Sequence, residues 1–497
     1  MRFKVSLIFL VVFSFFSISA AAATDSAFDG FHIGAETGLM LSGFRAYTLA
    51  SQTIPASTFT LEQYGHYTGA SATGRLFVGY GWDLSDFYLG VNLDANLMGA
   101  TGRSHTNDFD LRGVATELFS SSYQLELQRS FSLSLIPGYL ISDRTMFFAQ
   151  LGGAQGRVKG QVLLNGVLAT APGDASLTQS FSKNLFGWVA GFGFQHFLTN
   201  DWALAMQYLY THYATLSNFH DEAPDNTRHI SDYTRVKTSS NAFLVGAAYY
   251  FDDLEGEFPS TKNKGGFKGF YLGVFSGLIQ QLTSYNYFSD FAISLVGRHE
   301  SQLNGDQGNN NVNGGLFLGY GVLINRAYLG LELGGGVGTS VSALNSSIRG
   351  DDENLSRVLR VSLQEVAYLD LKLGTLLGGD TSMLYALVGL ANGRLKLQPR
   401  QNSADRADTG TPMTYFESVG DVVKAHLLGL RVGLGFSTKL AKHWALGIQD
   451  AFTFYRSKDV NFANTVIDVG TNFTVLGAAS VTPRTNNVTL FLNYYFS

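Results

Sequence analysis

The 497-residue chain has no cysteine, only 8 prolines and only 15% charged residues. Without cysteine there is neither a disulfide framework nor a lipidation point. Soluble domains usually carry about 25% charged residues. Past the N-terminus no run reaches the roughly 18 apolar residues of a spanning helix. A net charge of −5 leaves no basic footprint for nucleic acid. What the chain has in quantity is glycine, 56 residues, and aromatics at 13%. That apolar and aromatic content argues against disorder.

Arg2 and Lys4 precede an apolar stretch, Val5 to Ile18, and the small residues Ala20 to Ala23. This is the pattern of a secretory signal peptide over residues 1–23. Its removal deletes two positive charges, taking −5 to −7.

The remainder is written twice. Gly30-Phe31-His32-Ile33-Gly34 returns as Gly269-Phe270-Tyr271-Leu272-Gly273, and Leu76-Phe77-Val78-Gly79-Tyr80-Gly81 as Leu316-Phe317-Leu318-Gly319-Tyr320-Gly321. Tyr88-Leu89-Gly90 returns as Tyr328-Leu329-Gly330, and Tyr249-Tyr250-Phe251 as Tyr494-Tyr495-Phe496. The offset is 240 from Gly79 to Gly319, 237 from Met146 to Met383, 242 from Trp202 to Trp444 and 245 from Phe251 to Phe496. Matching blocks in one order, drifting only between blocks, mark a tandem duplication. The repeats occupy 24–251 and 267–497, and the polar 252–266 reads as a periplasmic linker.

Within each repeat apolar residues alternate with period two, the strand pattern. Tyr123, Leu125, Leu127, Phe131, Leu133 and Leu135 share one face; Gln124, Glu126, Gln128 and Ser130 share the other. Eight such segments can be counted per repeat, many about 9–11 residues long, enough for a tilted strand to cross a bilayer. Connections alternate between short (Asp83–Asp86, Ser142–Arg144, Leu198–Asp201) and long (Leu41–Gly74, Thr211–Ser240, Gln280–Gly314). Short turns on one rim and long loops on the other describe an all-β, antiparallel, up-and-down outer-membrane barrel.

That assignment sets the faces. Glu36, Arg75, Asn92, Asp94, Glu126, Gln150 and Gln207 are expected in the lumen of the first half, and Glu332, Asp370, Lys372, Arg431 and Gln449 in that of the second. Glu36 or Asp94 could neutralise Arg75, and Glu332 or Asp370 could neutralise Arg431. Trp82, Trp202 and Trp444 adjoin short turns, the place of an interfacial aromatic girdle.

The opening Gly-Phe-Tyr-Leu-Gly-type strand, the Gly-Tyr-Gly, the Tyr-Leu-Gly and the aromatic last strand resemble the small outer-membrane β-barrel superfamily that includes the OmpA membrane domain, OmpX and the opacity-type surface proteins. The resemblance covers Phe28–Phe251 and Phe267–Phe496. It implies that Phe496, with Phe251 as its internal copy, is the terminal aromatic read by the assembly machinery. Eight plus eight strands leave two closures open: two eight-stranded barrels with filled interiors, or one sixteen-stranded channel. The long linker and the separate first and last motifs of each half favour two.

No phosphate loop, nucleophile elbow or His-Glu-x-x-His motif is present, and no triad can be nominated. His212, His220 and His229 near Asp221, Glu222 and Asp225 match no standard metal spacing. The Asn304–Gly315 stretch reads as a low-complexity loop, and Asp351-Asp352-Glu353 as a charged loop tip. The expectation is a non-enzymatic surface barrel without cofactor or metal. Its partners would be outer-membrane lipid, lipopolysaccharide, the assembly machinery and a host or phage ligand at the loops. The alternatives are a diffusion porin and, behind it, a lipid-modifying barrel enzyme.

Overall fold

The computed structural model describes residues 27–496 apart from 55–56, 98, 113–114, 168–174, 226–227, 252–265, 294–296, 350–352, 379–380, 406–413, 420–421 and 469–470. The expected signal peptide, most of the linker, and Asp351 and Asp352 lie outside the described residues. The first half contributes β1 (Gly30–Ile54), β2 (Ser57–Leu84), β3 (Phe87–Asn96), β4 (Ala100–Arg112), β5 (Ala115–Ser142), β6 (Thr145–Val167), β7 (Ala175–Phe197), β8 (Trp202–Tyr213), β9 (Leu216–Asp225) and β10 (Arg228–Tyr250). The second contributes β11 (Gly269–Ile293), β12 (Gly297–Ile324), β13 (Ala327–Val337), β14 (Ser340–Arg349), β15 (Glu353–Leu377) and β16 (Ser382–Asp405). It ends with β17 (Thr414–Val419), β18 (Val423–Lys439), β19 (Trp444–Tyr455), β20 (Lys458–Asp468) and β21 (Thr471–Tyr495).

All ladders among the described residues are antiparallel, and they close each half on itself. β1 pairs with both β2 and β10, His32 opposite Gly79 and Tyr250. β11 pairs with both β12 and β21, Tyr271 opposite Gly319 and Tyr495. Between those closures each half runs through eight staves, with β4, β9, β14, β17 and β20 extending a neighbouring stave outward. The seams are sealed alike at the base: Phe251 N–H donates to Phe31 O at 3.0 Å and Phe496 N–H to Phe270 O at 3.0 Å.

The repeated glycine motifs have a packing cause. The Tyr88 ring lies inside the first barrel over Gly81 and Gly90, where any Cβ would run into it. Tyr328 lies in the same way over Gly321 and Gly330. The two-residue turns that follow β2 and β12 also match, with left-handed backbone at Ser85 (φ 73°) and Asn325 (φ 56°).

Outward positions near the short turns are bare leucine and aromatic, among them Leu76, Leu93, Leu133, Leu135, Leu318 and Leu371. This is the apolar band that faces lipid. The staves do not stop there. β1, β2 and β5 run for 25, 28 and 28 residues, more than twice what a bilayer needs.

Two expectations are corrected by this. The long connections Leu41–Gly74 and Gln280–Gly314 are not loops: over their described residues they are paired strands, because their alternation persists, with Phe44, Ala46 and Ala50 on β1 and Leu61 and Tyr67 on β2 all pointing inward and buried. The Asn304–Gly315 stretch lies within β12, paired along its length with β11 and at its outer end with β4.

Candidate functional site

The polar groups of the lumen are the candidate site, and period-two geometry brings them together. On β1, even positions face inward; on β2, odd ones do. Glu36 and Arg75 are direct cross-strand partners. Arg75 Nη1 donates to Glu36 Oε2 at 2.6 Å, and its Nη2 donates to Asp94 Oδ1 and, at 3.3 Å, to Gln150 Oε1. Gln150 Nε2 and Ser132 Oγ each donate to Asp94 Oδ2 at 3.0 Å, and Gln207 Nε2 donates to Glu36 at 2.6 Å. Six staves thus converge on one guanidinium, which also lies over the Phe77 ring at 4.8 Å. Every member is buried.

The second lumen uses a different set. Lys372 Nζ donates to Glu332 Oε2 at 2.5 Å, and Tyr271 OH reaches the same oxygen at 3.0 Å. Arg431 pairs with Glu365 through Nη1 and lies 3.1 Å from Asp370 Oδ2 through Nε. Thr453 and Tyr455 hydroxyls donate to Glu365 Oε2 at 3.1 and 3.2 Å. Lys372 stands over the Tyr385 ring at 4.8 Å and Arg431 over Tyr368 at 4.0 Å, so aromatic faces complete the solvation of both cations.

Of the residues singled out from sequence, Glu36, Arg75 and Asp94 meet in one network, and Glu332, Asp370, Lys372 and Arg431 in the other. Arg431 takes Asp370, whereas Glu332 takes Lys372. Glu126 is misplaced by the period-two reading: it lies on the outer face, where its Oε1 accepts from Gln128 Nε2 at 3.3 Å. The cause is a bulge in β5, where the register slips between Leu127 and Ser130. Tyr123, Leu125 and Leu127 therefore point inward and Phe131, Leu133 and Leu135 outward. A second bulge, between Glu365 and Ala367 on β15, turns Glu365 into the lumen, where the sequence had not placed it.

The cavities beside these charges are small. One cavity beside Arg75 and His32 and one beside Lys372 and Arg431 each measure about 10 Å³, the room of a single water. Outward of the charges apolar side chains pack the interior, Phe44, Tyr67, Tyr123, Leu125, Val158, Val162 and Val236 in the first half and Leu359, Val361, Leu363, Leu395, Leu397 and Val481 in the second, with buried polar groups such as Gln63, Thr234 and Asp232 set among them.

At the rim, Trp82, Trp202 and Trp444 are each nearly half exposed and pack at a steep angle against Tyr80, Tyr249 and Tyr494 at 5.1, 5.2 and 5.0 Å between centroids. Phe251 and Phe496 extend that ring, packing on Tyr249 and Tyr494. His229 contacts Asp221 at 2.9 Å on exposed side chains. Among the described residues no three acidic or imidazole groups are grouped to hold a metal.

Residues 8–251 match the family described as outer membrane protein beta-barrel domain. Over 210 residues, 40% of this chain and 78% of the relative, the sequence is 27% identical to the 31 kDa outer-membrane immunogenic protein of Brucella melitensis. Among solved structures, the attachment invasion locus protein Ail of Yersinia pestis aligns over 45% of this chain and 99% of its own, at 14% identity and a TM-score of 0.19. OprG of Pseudomonas aeruginosa aligns over 47% and 99%, at 12% identity and a TM-score of 0.26. The chain is an outer-membrane β-barrel protein of the Gram-negative envelope, and its first half carries the match to the outer membrane protein beta-barrel domain.

Proposed function

We propose that the protein is a closed, non-enzymatic surface barrel that works by presenting its extracellular β-extensions to a partner outside the cell. The observation that carries this is the filled lumen. A charge network ties six staves to Arg75, a second clamps Lys372 and Arg431, and apolar side chains pack the bore outward of both. A diffusion porin needs a continuous aqueous path, and eight-stranded rings fill their interior with side chains. The extensions carry the fold away from the membrane, and surface-exposed segments of this kind carry recognition. A host-cell or phage surface is the partner class they suit. Planar-bilayer recording of the refolded protein tests this: silence or rare small events are expected, and steady nanosiemens steps would overturn it in favour of the porin.

A further inference from the structure

The two halves meet along one face. Phe194, Met206, Tyr208 and Phe243 of β7, β8 and β10 are buried against Phe436, Ile448 and Val488 of β18, β19 and β21. These side chains point out of their own barrels, where lipid would otherwise cover them. The contacts follow a rule. Phe194 packs on Phe436, centroids 5.3 Å apart, and these are counterparts in the two repeats, 242 residues apart. Towards the periplasm, Thr145 Oγ1 and Ser382 Oγ are 3.3 Å apart, counterparts at 237. At the outer end Tyr67 bridges Gln307, counterparts at 240. Off this line the contacts are reciprocal: Gly305 opposes Ser104 where β12 meets β4, and Gly65 opposes Leu344 where β2 meets β14. Residues that meet their own copies, flanked by reciprocal pairs, define a two-fold axis and an isologous interface. Here the axis runs along the membrane normal.

We infer that the face between the halves is a homodimer interface held within one chain, built to recognise a second barrel of its own kind rather than lipid. The polar groups on it support this. Tyr208 OH donates to Asn241 Oδ1; Asp450 and Asn486 occupy the counterpart positions, and all four are buried. Asp450 lies close enough to Tyr208 to act on it electrostatically. On an outward face in mid-membrane these groups would meet hydrocarbon, where polar side chains are strongly disfavoured. Covered by the opposite half, they do not.

The chain's lack of cysteine makes the test direct. In the full-length protein, Thr145→Cys with Ser382→Cys should crosslink within the chain, with loss of both free thiols and no intermolecular band. A protease site inserted within residues 252–266 and cut after folding should leave two fragments that still co-elute in mild detergent. Tyr208→Asp should separate the cut fragments by setting two carboxylates against each other. The swap Tyr208→Asp with Asp450→Tyr should restore co-elution, since a two-fold axis makes the two positions interchangeable. Separation of the cut wild-type fragments, an absent crosslink, or a swap no better than the single variant would each overturn the inference.

Discussion

Arg75 and Glu36 lie side by side in the first barrel's lumen as cross-strand partners on β2 and β1, Nη1 to Oε2 at 2.6 Å, with neither side chain reached by solvent. Asp94 shares the same guanidinium, so one cation holds two carboxylates. Replacing Arg75 by methionine strands both acids in a dry interior, and breaking a buried pair in this way costs about 3–5 kcal/mol. Arg75→Met should lower the unfolding free energy of the detergent-refolded protein by that amount, read as a lower urea midpoint at unchanged slope. Arg75→Lys keeps the charge but not the fork to two acids, and should fall between. A variant as stable as the wild type would show that the network does not hold the staves together.

A second prediction concerns Tyr88, whose ring lies against Gly81 and Gly90 with no room for a Cβ at either. Gly81→Val forces the ring out of its slot or bends β2 away from β3. Overpacking of this kind costs about 1–3 kcal/mol. The same change at Gly321, under Tyr328, should cost a similar amount. Heat-modifiable mobility on gels, read against temperature, would rank both variants below the wild type.

How much of this was legible in the sequence follows from what period two can and cannot carry. Glu36, Arg75 and Asp94 sit on staves without bulges between the rim and the charge, so counting by twos put them inside. On β5 and β15 the count passes through a bulge, and every residue beyond it changes face. One inserted residue therefore sent Glu126 outward and brought Glu365 in, against the expected pattern. Nothing in Leu127 to Ser130 announces the slip, since Gln128 and Arg129 suit either face at the edge of the lipid band. The long connections were misread for a related reason. Polar outward residues such as Arg45, Glu62 and Tyr64 resemble a loop, while Phe44, Leu61 and Tyr67 keep the alternation of a strand. The contact between halves left a trace too, in Asp450 and Asn486 at outward positions, but only the assembled pair explains them.

Those hairpins yield a third prediction. Backbone amides of Phe44 to Gln52 and of Phe59 to Tyr67 are engaged in ladders on both sides of the turn, not free in a loop. Protease added to intact cells should leave the hairpin stems whole, because cleavage needs several unpaired residues. Fragment ends mapped by mass spectrometry within Leu41–Thr48 or Tyr67–Gly74 would contradict the extended staves.

The last prediction concerns acid. Asp232 lies inside the extracellular extension of the first barrel, well outside the lipid band and fully buried. Its carboxylate accepts the Thr234 hydroxyl at 3.3 Å, and Thr234 in turn meets Thr48. Burial is the dominant influence and pushes its pKa from 3.8 up to about 6, against the smaller opposing effects of Thr234 and His220. The folded state therefore holds this proton more tightly than the unfolded chain does. Stability is then greatest below pH 3.8 as far as this group decides it, falls as pH rises through about 6, and is level above. At neutral pH the ionised form costs about 3 kcal/mol of local stability, at 1.36 kcal/mol per pKa unit. Asp232→Asn should remove that cost at pH 7.5 and abolish the pH dependence between 4 and 6.5. Amide exchange of β10 and its partner β9 should slow accordingly in the variant at pH 7.5 and match the wild type at pH 4. Unchanged exchange at the higher pH would mean that the carboxylate is solvated rather than enclosed.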